Sequence, residues 1–184
     1  VISDPTDGGF HERYSLIPRS LRLSTNRAEV SSPSDVLFLD TETTGLDRGT
    51  GTHVFLVGAG YFDGSHFRVR QYFIRDLAEE ASLLHDLDQL LHNFPVLVTF
   101  NGRTFDWPLL QNRFILHGYR EFPDHAHWDL LPVARRIWKH RLGDCSLGNL
   151  EQRVLGLHRF GDVPGYLIPQ LYFDYLRTRD ARPL

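Results

Sequence analysis

Methionine is absent from the 184 residues, and cysteine occurs once, at Cys145. A single thiol excludes an internal disulfide and suits a reducing compartment, where Cys145 reads as a small buried residue rather than a nucleophile. No apolar run approaches the roughly 20 residues of a membrane-spanning helix, and no signal-peptide pattern opens the chain. These absences predict a cytoplasmic protein with no membrane partner. Excess charge of one sign is missing too: 20 Lys and Arg stand against 23 Asp and Glu, a formal net charge of −3. That balance excludes a protein that coats duplex DNA by counterion release, but not one that grips a few nucleotides. Because Val1 is not an initiator, the sequence reads as a piece of a longer parent protein, in which additional domains can precede or follow it.

What is present begins at Val36, where a β-branched and aromatic run ends in Asp40-Thr41-Glu42-Thr43-Thr44-Gly45-Leu46. Residues two apart in a strand point to one side, so Asp40 and Glu42 form a pair of hard oxygen ligands aimed at one point. Two such carboxylates repel each other unless a cation lies between them. A second strand-to-turn unit follows at Val96–Phe100, broken by Asn101-Gly102, whose types accept left-handed backbone and close approach. Asp106 then falls in the first turn of a helix, where Pro108 is tolerated because the first helical N–H groups have no partner.

Periodicity orders the remaining elements. Val54–Phe62 and His66–Ile74 read as strands joined by Asp63-Gly64-Ser65, a hairpin signal. Leu83, Leu84, Leu87, Leu90 and Leu91 then recur at helical spacing within residues 77–94, after an acidic first turn of Glu79-Glu80. A helix over 105–117, a short strand at His127–Leu130 and helices near 131–140, 146–155 and 168–178 complete the series. Three antiparallel strands followed by α-β-α-β predict a mixed α/β sheet flanked by helices. A crossover through helix 77–94 sets strand one beside strand four, so Asp40, Glu42 and Asp106 converge at one sheet end. Residues 1–34 read as an N-terminal arm or the tail of a preceding segment, leaving 35–184 as the domain.

Other polar groups draw ordinary readings. His125 and His127 share a strand face but lack zinc-motif partners, and His85 with His92 reads likewise as surface. Asp129 suits the N-cap of the helix at 131–140. Arg68, Arg70, Arg113, Arg135, Arg136, Lys139 and Arg141 read as solvated surface charge. Arg103 stands apart, because its loop lies between Asn101 and Asp106, where a cation meets substrate phosphates.

Asp40-Thr-Glu-Thr-Thr-Gly-Leu46 and Asn101-Gly-x-x-Phe105-Asp106 resemble the first and second motifs of the DnaQ-like, or DEDD, 3′→5′ exonucleases. Pro108-Leu109-Leu110, Trp128-Asp129-Leu130-Leu131, Leu155-Gly156 and Asp162-Val-Pro-Gly165 are similar to the YprB-like branch of the ribonuclease H-like superfamily. The resemblance covers about residues 35–180. It implies a ribonuclease H-like sheet, two Mg²⁺ or Mn²⁺ ions, and nucleotide removal from the 3′ end of single-stranded DNA or RNA. By the same resemblance Asp40 bridges both ions, Glu42 holds the ion that carries the attacking water, and Asp106 serves the second. Thr43, Thr44 and Leu46 then form the pocket of the terminal nucleotide, with Asn101, Arg103 and Phe105 as further substrate contacts. These enzymes add a fourth Asp after a His or Tyr, expected here as His-Asn-x-x-Asp downstream of Asp162-Val-Pro-Gly165. That sequence does not occur before Leu184. The domain is therefore expected to stop short of its last acidic motif, with Asp162, near His158, as the weak stand-in. Asp174 and Asp180, beside Tyr172 and Tyr175, are weaker still, since those Tyr residues mark an amphipathic helix face. A catalytically incomplete nucleic-acid-binding or protein-interaction module is the alternative, and a phosphatase or structure-selective endonuclease on the same fold is a third.

Overall fold

The computed structural model describes Val30, residues 32–45 and residues 51–183. Five strands form one sheet in the order β3-β2-β1-β4-β5. They are β1 (Val36–Thr43), β2 (Val54–Asp63), β3 (His66–Phe73), β4 (Val96–Thr99) and β5 (Ala126–Asp129). The first three are antiparallel neighbours, whereas β4 runs parallel to β1 and β5 parallel to β4. The hairpin turns at Gly64-Ser65, where Gly64 takes φ 60°, a conformation that costs a side chain dearly. From the hairpin the chain reaches β4 through helix α1 (Glu80–Leu91), and Val36, Leu37 and Phe38 pair with Val96, Leu97 and Val98. Helices α2 (Asp106–Leu116), α3 (Leu130–Leu142), the short α4 (Leu147–Leu150) and α5 (Ile168–Thr178) complete the mixed α/β fold.

Alternation along β1 divides its side chains between two environments. Leu37 and Leu39 enter the main core with Phe55 of β2, Leu84 and Leu87 of α1, and Leu110 and Phe114 of α2. Phe38 and Asp40, on the other side, stay exposed. Tyr172 of α5 is fully buried, stacks on Phe55 with ring centroids 4.0 Å apart, and donates its hydroxyl to Ile74 O at 3.2 Å. Tyr172 and Tyr175 thus anchor the last helix, as its amphipathic pattern predicts. A smaller cluster of Val36, Val96, Val98 and Ala126, joined by Val30 and Trp128, occupies the opposite sheet face.

Several boundaries differ from expectation. β1 continues past Asp40, so Glu42 still belongs to the strand. A 3₁₀ turn at Leu77–Glu79, capped by Asp76, precedes α1. β5 ends at Asp129 because that carboxylate caps α3, accepting from Leu131 N at 3.0 Å. Residues 146–155 divide into α4 and a wider π turn, Glu151–Leu155, which stops at Gly156 with φ 69°. The arm expected over 1–34 lies outside the described residues except for Val30 and residues 32–34.

Arg113 is the main correction. Instead of lying on solvated surface it is buried, and its Nε donates to Glu80 Oε1 at 2.7 Å while Nη2 donates to Oε2 at 2.5 Å. Nη2 also meets His53 Nδ1 at 3.1 Å, and His117 Nε2 lies 3.0 Å from Glu80 Oε2. Burial raises the pKa of Glu80, but the hydrogen bonds from Arg113 and His117 outweigh it and hold the carboxyl below its ordinary value. Glu80→Ala strands a buried cation and is expected to lower the unfolding free energy by about 3–5 kcal/mol in urea titrations. Replacing both partners, as Glu80→Leu with Arg113→Met, is expected to recover most of that loss. A single-variant loss below about 1 kcal/mol would contradict the burial argument.

Candidate active site

Asp40 and Glu42 occupy one side of β1 near its C-terminal end. Beside that end, β4 gives way to the Asn101-Gly102 turn. Asn101 adopts φ 69°, and a Cβ on Gly102 would stand 2.5 Å from Thr99 Cβ. Asp129 ties the turn down, accepting from Asn101 N at 2.8 Å and Arg103 N at 3.1 Å while it caps α3. The chain then enters α2 at Asp106, which is buried. Thr41, pointing away from the side that carries Asp40 and Glu42, donates its hydroxyl to Asp106 Oδ1 at 2.5 Å.

Every carboxyl of this trio is held above its ordinary pKa. For Asp40 the cause is first withdrawal from water by the protein around a side chain that is still partly open, and then the charge of Asp106. Glu42 is pushed up to about 7 by burial, then by Asp40, Asp106 and Asp162 in turn. Burial raises Asp106 as well, partly opposed by the Thr41 hydrogen bond. Arg159 acts in the other direction on Asp40. Its guanidinium is clasped by Glu151 through two contacts of 2.6 Å and by Asp162 at 3.0 Å. A fourth acid, Asp162, and a cation, Arg159, therefore act on the strand end from the loop after α4.

Among the described residues, no three His, Cys, Asp or Glu side chains are drawn together as a ready-made metal cage. Asp106 is turned toward Thr41 instead. The donor chemistry fits a hard divalent cation nonetheless: the set is oxygen only, and each carboxyl carries a penalty on its charge, from burial first and from neighbouring acids second, that a divalent ion would relieve.

The expected substrate contacts are distributed unevenly. The Thr43 hydroxyl donates to Gly45 O at 2.7 Å, and Thr44 Oγ1 accepts from His53 N at 2.9 Å, so both hydroxyls shape the turn after β1. Leu46 lies outside the described residues. Asn101 and Arg103 are exposed on the second turn, and Phe105 is half-buried at the entrance to α2. Asp174 binds Arg177 and Asp180 binds Arg182, each within its own exposed stretch. His125 Nε2 meets Leu91 O while its buried Nδ1 has no hydrogen-bond partner among the described residues, and His127 Nε2 meets Thr99 Oγ1. Thr41 is the residue that sequence reasoning missed, although its place between the two acids was signal enough: alternation had to turn it toward whatever packed on the other face.

A family model of the RNase H superfamily matches residues 37–184, the span that holds every one of these carboxylates. The chain belongs to that superfamily. Membership supports nuclease-type hydrolysis of nucleic acid with divalent metal ions. The chain is also 37% identical over 162 residues to YprB of Bacillus subtilis (strain 168), an uncharacterized protein. That match takes in 85% of this chain and 38% of YprB, so the chain spans about two fifths of the curated relative's length. Among the described residues no helix is long and apolar enough to cross a membrane.

The raised pKa of Glu42 carries a stability signature. A carboxyl whose folded value lies near 7 against an ordinary 4.5 favours the folded state below pH 4.5, and its contribution is lost as pH rises through 7. Glu42→Gln is expected to raise the melting temperature of the metal-free protein at pH 8 and to flatten the fall between pH 4.5 and 7. A melting curve that Glu42→Gln leaves unchanged at both pH values would refute the crowding.

Proposed function

We propose that this RNase H domain is a 3′→5′ exonuclease that hydrolyses phosphodiester bonds at the end of single-stranded DNA or RNA. The observation that supports it most is the crowding at the end of β1, where burial and neighbouring acids raise the pKa of Asp40 and Glu42 beside the buried Asp106, with the Arg159 cation as a partial offset on Asp40. Asp40 and Glu42 would hold the metal pair from β1, with Asp106 completing the set from α2. Divalent ions held there would supply positive charge toward an attacking water and a departing 3′ oxygen. The chain's own part is to place the terminal nucleotide. The turn braced by Thr43 and Thr44, followed by Leu46, offers backbone and apolar contacts to sugar and base. Asn101, Arg103 and Phe105 offer a second wall, with Arg103 facing phosphate.

Thr41 is a positioning residue in this reading, since its hydroxyl decides where the Asp106 carboxylate points. The tie between Thr41 and Asp106 also favours one alternative, a module that binds nucleic acid without cutting it. The deciding experiment incubates the protein with 5′-labelled single-stranded DNA and RNA in Mn²⁺, beside Asp40→Asn and a circular substrate. Expected are a ladder shortening from the 3′ end, an intact circle, and at least about a 10³-fold loss in Asp40→Asn. Binding that survives Asp40→Asn, with no cleavage by either protein, would establish the module instead, and a cut circle would indicate an endonuclease. Thr41→Val is expected to lower activity about 10–100-fold while Thr41→Ser keeps most of it, the scale of groups that orient metal ligands.

A further inference from the structure

A groove of about 660 Å³ starts at Asn101 and runs along α3. One wall is the helix face of Leu131, Arg135 and Lys139, residues four apart and therefore in line. The opposite wall is the segment from Gly143 to Leu147. Asp129 makes the groove continuous with the candidate site, because the same carboxylate that caps α3 also holds the backbone of Asn101 and Arg103. The groove and the second motif are thus one rigid unit.

Several cations elsewhere on the protein are already engaged by carboxylates. Arg68, Arg159, Arg177 and Arg182 are each matched by a carboxylate, and Arg113 is buried against Glu80. Arg135 and Lys139 are exposed and, among the described residues, paired with no carboxylate. The acid in the groove, Asp144, is turned into its own loop, where it accepts from Ser146 N at 2.9 Å and Ser146 Oγ at 2.6 Å. Two unmatched cations about 6 Å apart along a helix suit successive charges on a polyanion better than one small ion. Arg103, also exposed, belongs to the turn between Asn101 at the head of the groove and Asp106.

We propose that this groove holds the sugar–phosphate backbone of the single strand upstream of its 3′-terminal nucleotide, with Arg135 and Lys139 each meeting a phosphate. The inference rests on the exonuclease reading and adds to it a preference for strands long enough to reach along α3. A dinucleotide fills only the terminal pocket and gains nothing from the groove.

The test measures binding of 5′-fluorescein oligonucleotides of two and eight nucleotides to the Asp40→Asn protein by anisotropy across a salt series, so that nothing is cut. Arg135→Glu with Lys139→Glu is then compared with Arg68→Glu and Arg70→Glu on β3, an equal change of net charge elsewhere. For the octanucleotide the groove variant is expected to lose at least about tenfold in affinity. Its plot of log K against log salt should become shallower by about 1.4, since each phosphate contact on a single strand contributes about 0.7. The dinucleotide should bind both variants and the parent alike. Equal slopes for the groove and β3 variants would overturn the inference, as would an equal loss for the dinucleotide, which would assign the cations to the terminal pocket. In the cleaving protein, an unchanged KM for the octanucleotide in the groove variant would remove the groove and leave the exonuclease standing. An oligonucleotide neither bound nor cut would remove both.

Discussion

The guanidinium of Arg113 lies two helical turns beyond Asp106 on α2, and the carboxylate that neutralises it, Glu80, belongs to α1. Residues seven apart share a helix face, so whatever orients Arg113 also sets the rotation of Asp106 about the helix axis. The same cluster reaches the first motif. His53, in contact with Arg113 Nη2, donates its backbone N–H to Thr44 Oγ1 and accepts from Thr44 N at 3.0 Å. One buried ion pair therefore braces both the turn after Glu42 and the helix that carries Asp106. Its burial is permissible because Arg113 and Glu80 satisfy each other through two bonds, with the imidazoles taking up the remaining polar capacity.

Against that bracing stands a strand end that is electrostatically unfavourable. Burial raises the pKa of Asp40, Glu42 and Asp106 alike; Asp106 adds to the shift of Asp40, and Asp40, Asp106 and Asp162 add to that of Glu42. A protein selected for stability alone would not place four acids together; the fold tolerates them because Thr41 satisfies one and Arg159 offsets another. The sheet contributes rigidity at this point, with β1 paired on both edges and Leu37 and Leu39 fully packed beneath the acids.

Much of this architecture was legible because it is local. Strand alternation and leucine spacing need only a few consecutive residues, and they led to the five strands, to α1 and α2, and to β1 lying beside β4. Asp129 was legible as a cap, but not as the group that also holds Asn101 and Arg103, because that contact spans 28 residues. Arg113 was misread for the same reason, and Glu80 was legible as an acid of a first helical turn but not as its partner. Within its own helix neither residue shows its partner, and only the packing of α1 on α2 makes them a buried pair. Asp162 drew little weight as part of a turn before Pro164. Its action on Glu42 comes from the way that loop returns toward β1, which no local pattern encodes.

The register of β1 against β2 slips between Glu42 and Thr43. Up to that slip, the parity of the strand is set by Leu37 and Leu39 in the core, and parity admits no half measures. Losing Phe38, between Leu37 and Leu39, would swing an acid into the apolar interior and bring a leucine out, exchanging the two faces at a stroke. Beyond the slip that parity no longer holds, so changes in chain length there leave the phase of both acids untouched. A change in length is thus tolerable on one side of a single peptide unit and ruinous on the other, and an inserted reporter or cross-linking site belongs on the tolerant side.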